Sequence, residues 1–134
     1  MSTLNIPYQF HFGHGQLIPI CEIILLGRTK RVPIRAVIDS GATHPYFLRS
    51  SAEQAGLELE RGKSMDVMFG TPPRQSGKLL EVYVEILHRR MRIEACFVED
   101  IALGYALLGR KTVFNQFNEI AFIESIAAPR VELR

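Results

Sequence analysis

Apolar residues along the chain come in short runs broken by glycine, proline or charged clusters, a pattern of strands and turns rather than of long helices. Residues 6–12 alternate roughly between apolar and polar side chains and predict a strand that stops at the turn Gly13-His14-Gly15. Residues 17–26 form a longer run rich in Ile and Leu, ending at a hairpin connection, Gly27-Arg28-Thr29-Lys30. Residues 32–38 resume an apolar strand that runs straight into Asp39-Ser40-Gly41. After Pro45 the period changes. Tyr46, Phe47, Ala52, Ala55 and Leu57 recur at helical spacing, Ser50-Ser51-Ala52-Glu53 offers an N-cap with acid in the first turn, and Gly56 stands where a helix would end. Residues 65–69 predict a short strand. Residues 70–77 hold two prolines and two glycines, which predicts a loop that is neither helical nor paired. A strand pair at residues 79–87 and 91–98 follows, then an apolar segment at 101–108, a short helix ending near Phe117, and a strand over 119–126. Short strands with regular turn signals predict a mainly β fold, a closed barrel with one or two short helices.

With 134 residues the chain is expected to form a single domain over residues 1–134, with its core within about 17–125. Its hydrophobic fraction of 47% is enough for a core and argues against disorder. The net charge of +2 gives no drive toward nucleic acid. The dense basic stretches, residues 28–31 and 87–92, fall at predicted turns and read as solvated hairpin tips. Cys21 and Cys96 sit inside apolar runs at no metal-binding spacing and read as buried thiols. No metal site is expected from His11 and His14, which bracket a glycine turn without further ligands. His44 reads as a surface residue beside the Asp39 segment, and Phe114, Phe117 and Phe122 read as core. The N-terminus lacks the basic-then-apolar pattern of a secretory leader, and no apolar stretch reaches the roughly 18 residues of a membrane span, so a soluble cytoplasmic protein with no membrane partner is expected.

The segment that carries chemistry is Val37-Ile38-Asp39-Ser40-Gly41-Ala42-Thr43. A carboxylate at the end of an apolar strand is costly unless it has a partner or a role. Taken alone, Asp-Ser-Gly also reads as a turn in which Asp39 accepts from nearby backbone N–H groups. The segment resembles the apolar-apolar-Asp-Thr/Ser-Gly-Ala motif of retropepsin-like aspartic proteases. Two further features resemble that family in the same order. Phe69, Gly70 and Thr71, opening the run to Gly77, are similar to its flap. Ala106-Leu107-Leu108-Gly109-Arg110 is similar to its apolar-apolar-Gly-Arg motif.

The resemblance implies a fold of the acid-protease type with a flap hairpin, and an aspartic endopeptidase that needs no cofactor. The chain has one such Asp triplet, so the second carboxylate would come from a second copy across a twofold axis. Asp39 would be the catalytic residue. Ser40, Gly41 and Ala42 would form the active-site loop, and Ser40 would bond across the axis. Phe69, Gly70 and Thr71 would close over an extended peptide substrate, and Leu108, Gly109 and Arg110 would support the loop. Lys111 stands where the family often has Asp or Asn, and Thr43 and His44 supply no carboxylate for Arg110, which is therefore expected to bond main-chain carbonyls. The pair Pro72-Pro73 makes the flap stiff. Two readings of other classes stay open at this point: a non-catalytic dimerisation or peptide-binding module with this fold, and an unrelated barrel in which Asp39 only makes a turn.

Overall fold

The computed structural model describes residues 2–11, 13, 15–70 and 73–134. Its strands are β1 (Leu4–Pro7), β2 (Gln9–His11), β3 (Gln16–Ile18), β4 (Ile20–Leu26), β5 (Arg31–Ile38), β6 (Tyr46–Leu48), β7 (Lys63–Val67), β8 (Gln75–Ile86), β9 (Arg89–Val98), β10 (Ala106–Leu108), β11 (Ile120–Ile123) and β12 (Arg130–Leu133). One α-helix is present among the described residues, α1 (Arg49–Ala55), with 3-10 turns at Leu59–Arg61 and Phe114–Gln116. The main sheet runs β4-β5-β10-β6-β9-β8-β7, and β8 pairs back to β4. That pairing closes a six-strand barrel, as the run of short strands predicts.

The alternation in the sequence becomes the inside and outside of this barrel. Ile23 and Leu25 of β4, Val84 and Ile86 of β8, Ile93 and Phe97 of β9, and Leu108 of β10 point inward and are fully buried. Phe47 and Phe97 meet edge to face in the centre, ring centroids 5.6 Å apart. Each fully buried aromatic of this kind contributes about 1.5–3 kcal/mol relative to exposure. A smaller apolar cluster joins Ala42, which follows the Asp39 turn, to Tyr46, Val67, Cys96, Val98, Ile101 and Leu107. Among the described residues no helix is long and apolar enough to cross a membrane.

Several elements differ from expectation. The strand expected over 6–12 is two strands, β1 and β2, and the one expected over 17–26 breaks at Pro19 into β3 and β4. Pro19 has no N–H to give a ladder; its carbonyl instead accepts from Ile38 N–H at 2.9 Å. Tyr46 and Phe47 lie in a strand, and the helix starts only at Arg49, with Leu48 as N-cap and no side-chain cap, so Ser50-Ser51 plays no such part. Gly56 does end the helix, in the left-handed region at φ 72°. The loop expected over 70–77 ends early, because β8 begins at Gln75 and Gly77 pairs with Met65. A Cβ at Gly77 would stand 2.5 Å from the Cys96 sulfur, so the glycine there serves packing, not a turn. Residues 101–105 are turn, and only Ala106–Leu108 is strand. The helix expected before Phe117 is a single 3-10 turn. The last expected strand is shorter, Ile120–Ile123, and the sequence reading missed β12, which pairs with both β1 and β11. Phe117 is buried and Phe114 partly so, but Phe122 is exposed. Both thiols are buried and free, and burial pushes each up to about 11, with Glu22 adding to the effect at Cys21.

Candidate active site

The topology carries Asp39 to the mouth of the barrel. β5 and β10 run parallel, Ile38 opposite Leu108, and Asp39 N–H donates to the Leu108 carbonyl at 3.0 Å. The chain then turns: Gly41 N–H donates to Asp39 Oδ1 at 2.8 Å, and Ala42 N–H to the Asp39 carbonyl at 3.2 Å. The turn bond read from Asp-Ser-Gly is therefore present. It occupies one carboxylate oxygen and leaves Oδ2 without a hydrogen bond to any described residue. Asp39 is half-buried, while Ser40 and Gly41 are exposed and Ala42 is buried. The Ser40 hydroxyl has no partner among the described residues of its own chain.

The segment after β10 pins this loop from behind. Arg110 N–H donates to the Ala42 carbonyl at 2.9 Å, and Lys111 N–H to the Thr43 carbonyl at 2.8 Å. Gly109 is buried between the two strips. A Cβ there would lie 2.3 Å from the His44 carbonyl oxygen and 2.7 Å from that of Ala42, so only glycine fits. The Gly-Arg pair thus supports the loop through its main chain. The expectation for the Arg110 side chain is corrected. The guanidinium is exposed and bonds neither a carbonyl nor a carboxylate among the described residues; the backbone N–H makes the contact.

A cavity of about 440 Å³ opens beside Asp39. Besides Asp39 it is lined by Gly41, Ala42, Thr43, Tyr46 and Leu107, by Met68, Phe69 and Gly70, and by Ile101, Ala102 and Leu103. Phe69 is half-buried and stacks edge to face on Tyr46, centroids 4.9 Å apart. Burial pushes the Tyr46 phenol up, with Cys96 adding to it. Thr71, expected at the flap, and Pro72 lie outside the described residues, as do Phe12 and His14. A second depression of about 280 Å³ borders Asp39 and Ser40 on their other flank, against Gln16, Ile18, Pro19 and Leu103. The structure thus brings Asp39, Gly41, Ala42, Phe69 and Gly70 to one cavity. Leu108, Gly109 and Arg110 stand behind it and do not line it. Sequence reasoning missed Tyr46, Met68 and residues 101–103. The glycine inside the apolar run 101–108 was the available signal that this run bends into a loop.

His44, expected at the surface, is half-buried, and its Nδ1 is enclosed without a partner. Burial, and then the Lys111 ammonium, hold the imidazole below its ordinary range, opposed by Glu94. A depressed histidine supports folding fully above its unfolded value of about 6.5 and loses that support as pH falls through the folded value. His44→Phe is therefore expected to flatten the fall in melting temperature below about pH 6.5, measured against wild type by thermal denaturation at successive pH values.

No protein-family model matches the sequence, and no curated protein matches it. The likeness is in three dimensions. The chain superposes on the crystal structure of a retropepsin-like aspartic protease from Rickettsia conorii with a TM-score of 0.68 and 13% identity, covering 98% of this chain and 91% of that one. The fold is retropepsin-like. The EIAV protease complexed with the inhibitor HBY-793 aligns with a TM-score of 0.52 and 14% identity, over 69% of this chain and 82% of that one. Within the retropepsin-like fold of this chain, the Asp39 loop, the segment 68–70 and the Gly109-Arg110 turn occupy one end of the barrel.

Proposed function

We propose that the chain is an aspartic endopeptidase that acts as a homodimer. The observation that carries this reading is the state of Asp39. It is half-buried in a loop fixed from behind by Arg110 and Lys111, it keeps one carboxylate oxygen unclaimed, and it sits at the edge of an apolar cavity rimmed by Phe69 and Gly70. A residue that served only its own turn would not need a cavity.

One carboxylate does not complete the chemistry. The exposed Ser40-Gly41 corner leaves room for a second copy to approach, so that Asp39 and the partner subunit's Asp39 meet at a twofold axis. Two carboxylates that close cannot both ionise cheaply, so the pair shares a proton. The ionised member takes a proton from a bound water, which attacks the scissile carbonyl. The protonated member polarises that carbonyl and then gives its proton to the leaving amine. The free edge of β7, continued by Met68–Gly70, offers main-chain groups to an extended peptide, and Phe69 shields the reacting bond from water. Apart from Asp39 the described lining of the cavity is uncharged, which suits apolar side chains.

A second reading, a non-catalytic peptide-binding or dimerisation module, is favoured by one observation: the Arg110 guanidinium lacks a partner among the described residues of its own chain. Dilution separates the two. Specific activity on a denatured protein substrate is expected to fall as the protein is diluted and the dimer dissociates, in step with the sedimenting mass. Cleavage that is independent of dilution in a monomer contradicts the dimer, and binding of peptide without cleavage from acid to neutral pH supports the module.

A further inference from the structure

Thr112 stands in the left-handed region at φ 64°, a conformation that a β-branched residue adopts at a cost. Something must hold it there, and the contacts show what does. Just before β6 begins, Pro45 is the last residue to take a bond from that side of β9, from Cys96 N–H at 2.8 Å. Two residues earlier on β9, the N–H and carbonyl of Glu94 have no strand beside them on that edge. The Thr112 hydroxyl takes both: it accepts from Glu94 N–H at 3.0 Å and donates to the Glu94 carbonyl at 3.2 Å. Gln116 clamps the same segment, its amide donating to the Thr112 carbonyl and, at 2.8 Å, to that of Arg92.

Thr112 directly follows the two residues that hold the Asp39 loop. Lys111 N–H binds Thr43, and Arg110 N–H binds Ala42. We infer that Thr112 is a positioning residue: its hydroxyl anchors the Gly109–Thr112 strip to β9, and the strip in turn fixes the height of residues 42–43 and so the aim of the Asp39 carboxylate. The side chain lines a separate shallow depression with Glu94 and Gln116 and does not reach the Asp39 cavity, so it acts only through the main chain. A bare packing role would not need both of its hydroxyl bonds.

The inference rests on the proposed peptidase activity for its kinetic arm, but amide hydrogen exchange reads it without any activity. In Thr112→Val, which keeps the shape and loses both bonds, exchange at Arg110 and Lys111 is expected to quicken about tenfold while β4 and β5 amides stay as in wild type. Thr112→Ser, which retains the hydroxyl, is expected to restore wild-type exchange. On a peptide substrate kcat is expected to fall about tenfold in the valine variant with KM little changed, and to recover in the serine variant. If the valine variant does not fold, Thr112→Gly, which relaxes the left-handed backbone, carries the same expectations. Unchanged exchange at Arg110 and Lys111, or quickening spread equally over the barrel, overturns the inference. Absence of cleavage in the wild type overturns the peptidase reading and leaves the exchange result to decide the role of Thr112.

Discussion

Asp39→Asn is expected to reduce peptide cleavage by about 10²- to 10⁴-fold, the range that a positioned general acid–base group contributes. The fold should survive. The asparagine side-chain oxygen can still accept from Gly41 N–H, and the position is half-buried at the barrel mouth rather than in the core. The melting temperature is therefore expected to stay close to that of wild type, and the barrel contacts of Phe47 and Phe97 to persist. Peptide hydrolysis measured beside thermal denaturation separates lost chemistry from lost structure. A variant that cleaves as fast as wild type removes Asp39 from the mechanism.

Gly109→Ala is expected to be the most damaging single-methyl change in the site. The added Cβ would meet the carbonyl oxygens of His44 and Ala42 at 2.3 and 2.7 Å, and both obstacles are backbone, which cannot rotate aside. Overpacking of a tight site costs about 1–3 kcal/mol, and here the upper end is expected. The displacement would pull Arg110 and Lys111 away from Ala42 and Thr43. Cleavage should then fall further than the loss of folded protein explains. Urea denaturation gives the stability loss, and activity per folded molecule gives the rest. An alanine variant as stable and as active as wild type would show that the strips behind Asp39 are not held as described.

Much of the barrel was legible because its strands are apolar runs that alternate over part of their length. Residues 32–36 and 91–95 carry the period of two that burial imposes, residues 95–98 are then buried on both faces, and both segments are strands close to their expected bounds. The order of the Asp39, Phe69 and Gly109 segments in the sequence also pointed to a retropepsin-like barrel. What failed was short or doubly determined. A three-residue strand such as Tyr46–Leu48 has too few positions to show a period, and the helix that follows lent it a helical spacing. Gly77 looked like loop because a glycine in sequence does not reveal whether it serves a turn or the sulfur of Cys96. Strand β12 was missed because its alternation, Val131 and Leu133 between Arg130, Glu132 and Arg134, spans only two apolar positions, too few to stand out before the pairing with β1 and β11 is known. At the candidate site, Asp39 and Gly109 stood out in the sequence because their residue types are constrained. Tyr46 and Leu103 were not, because an apolar lining residue looks like any core residue until the chain is folded.

A crystal structure of the assembled protein, with the separation between the two Asp39 carboxylates measured, bears most directly on whether one acidic group per chain suffices. Their nearest oxygens are expected about 3 Å apart across a twofold axis, close enough to share a proton. Carboxylates that face away from each other, or a chain that remains single with peptide present, would contradict the proposed hydrolysis and leave only the barrel.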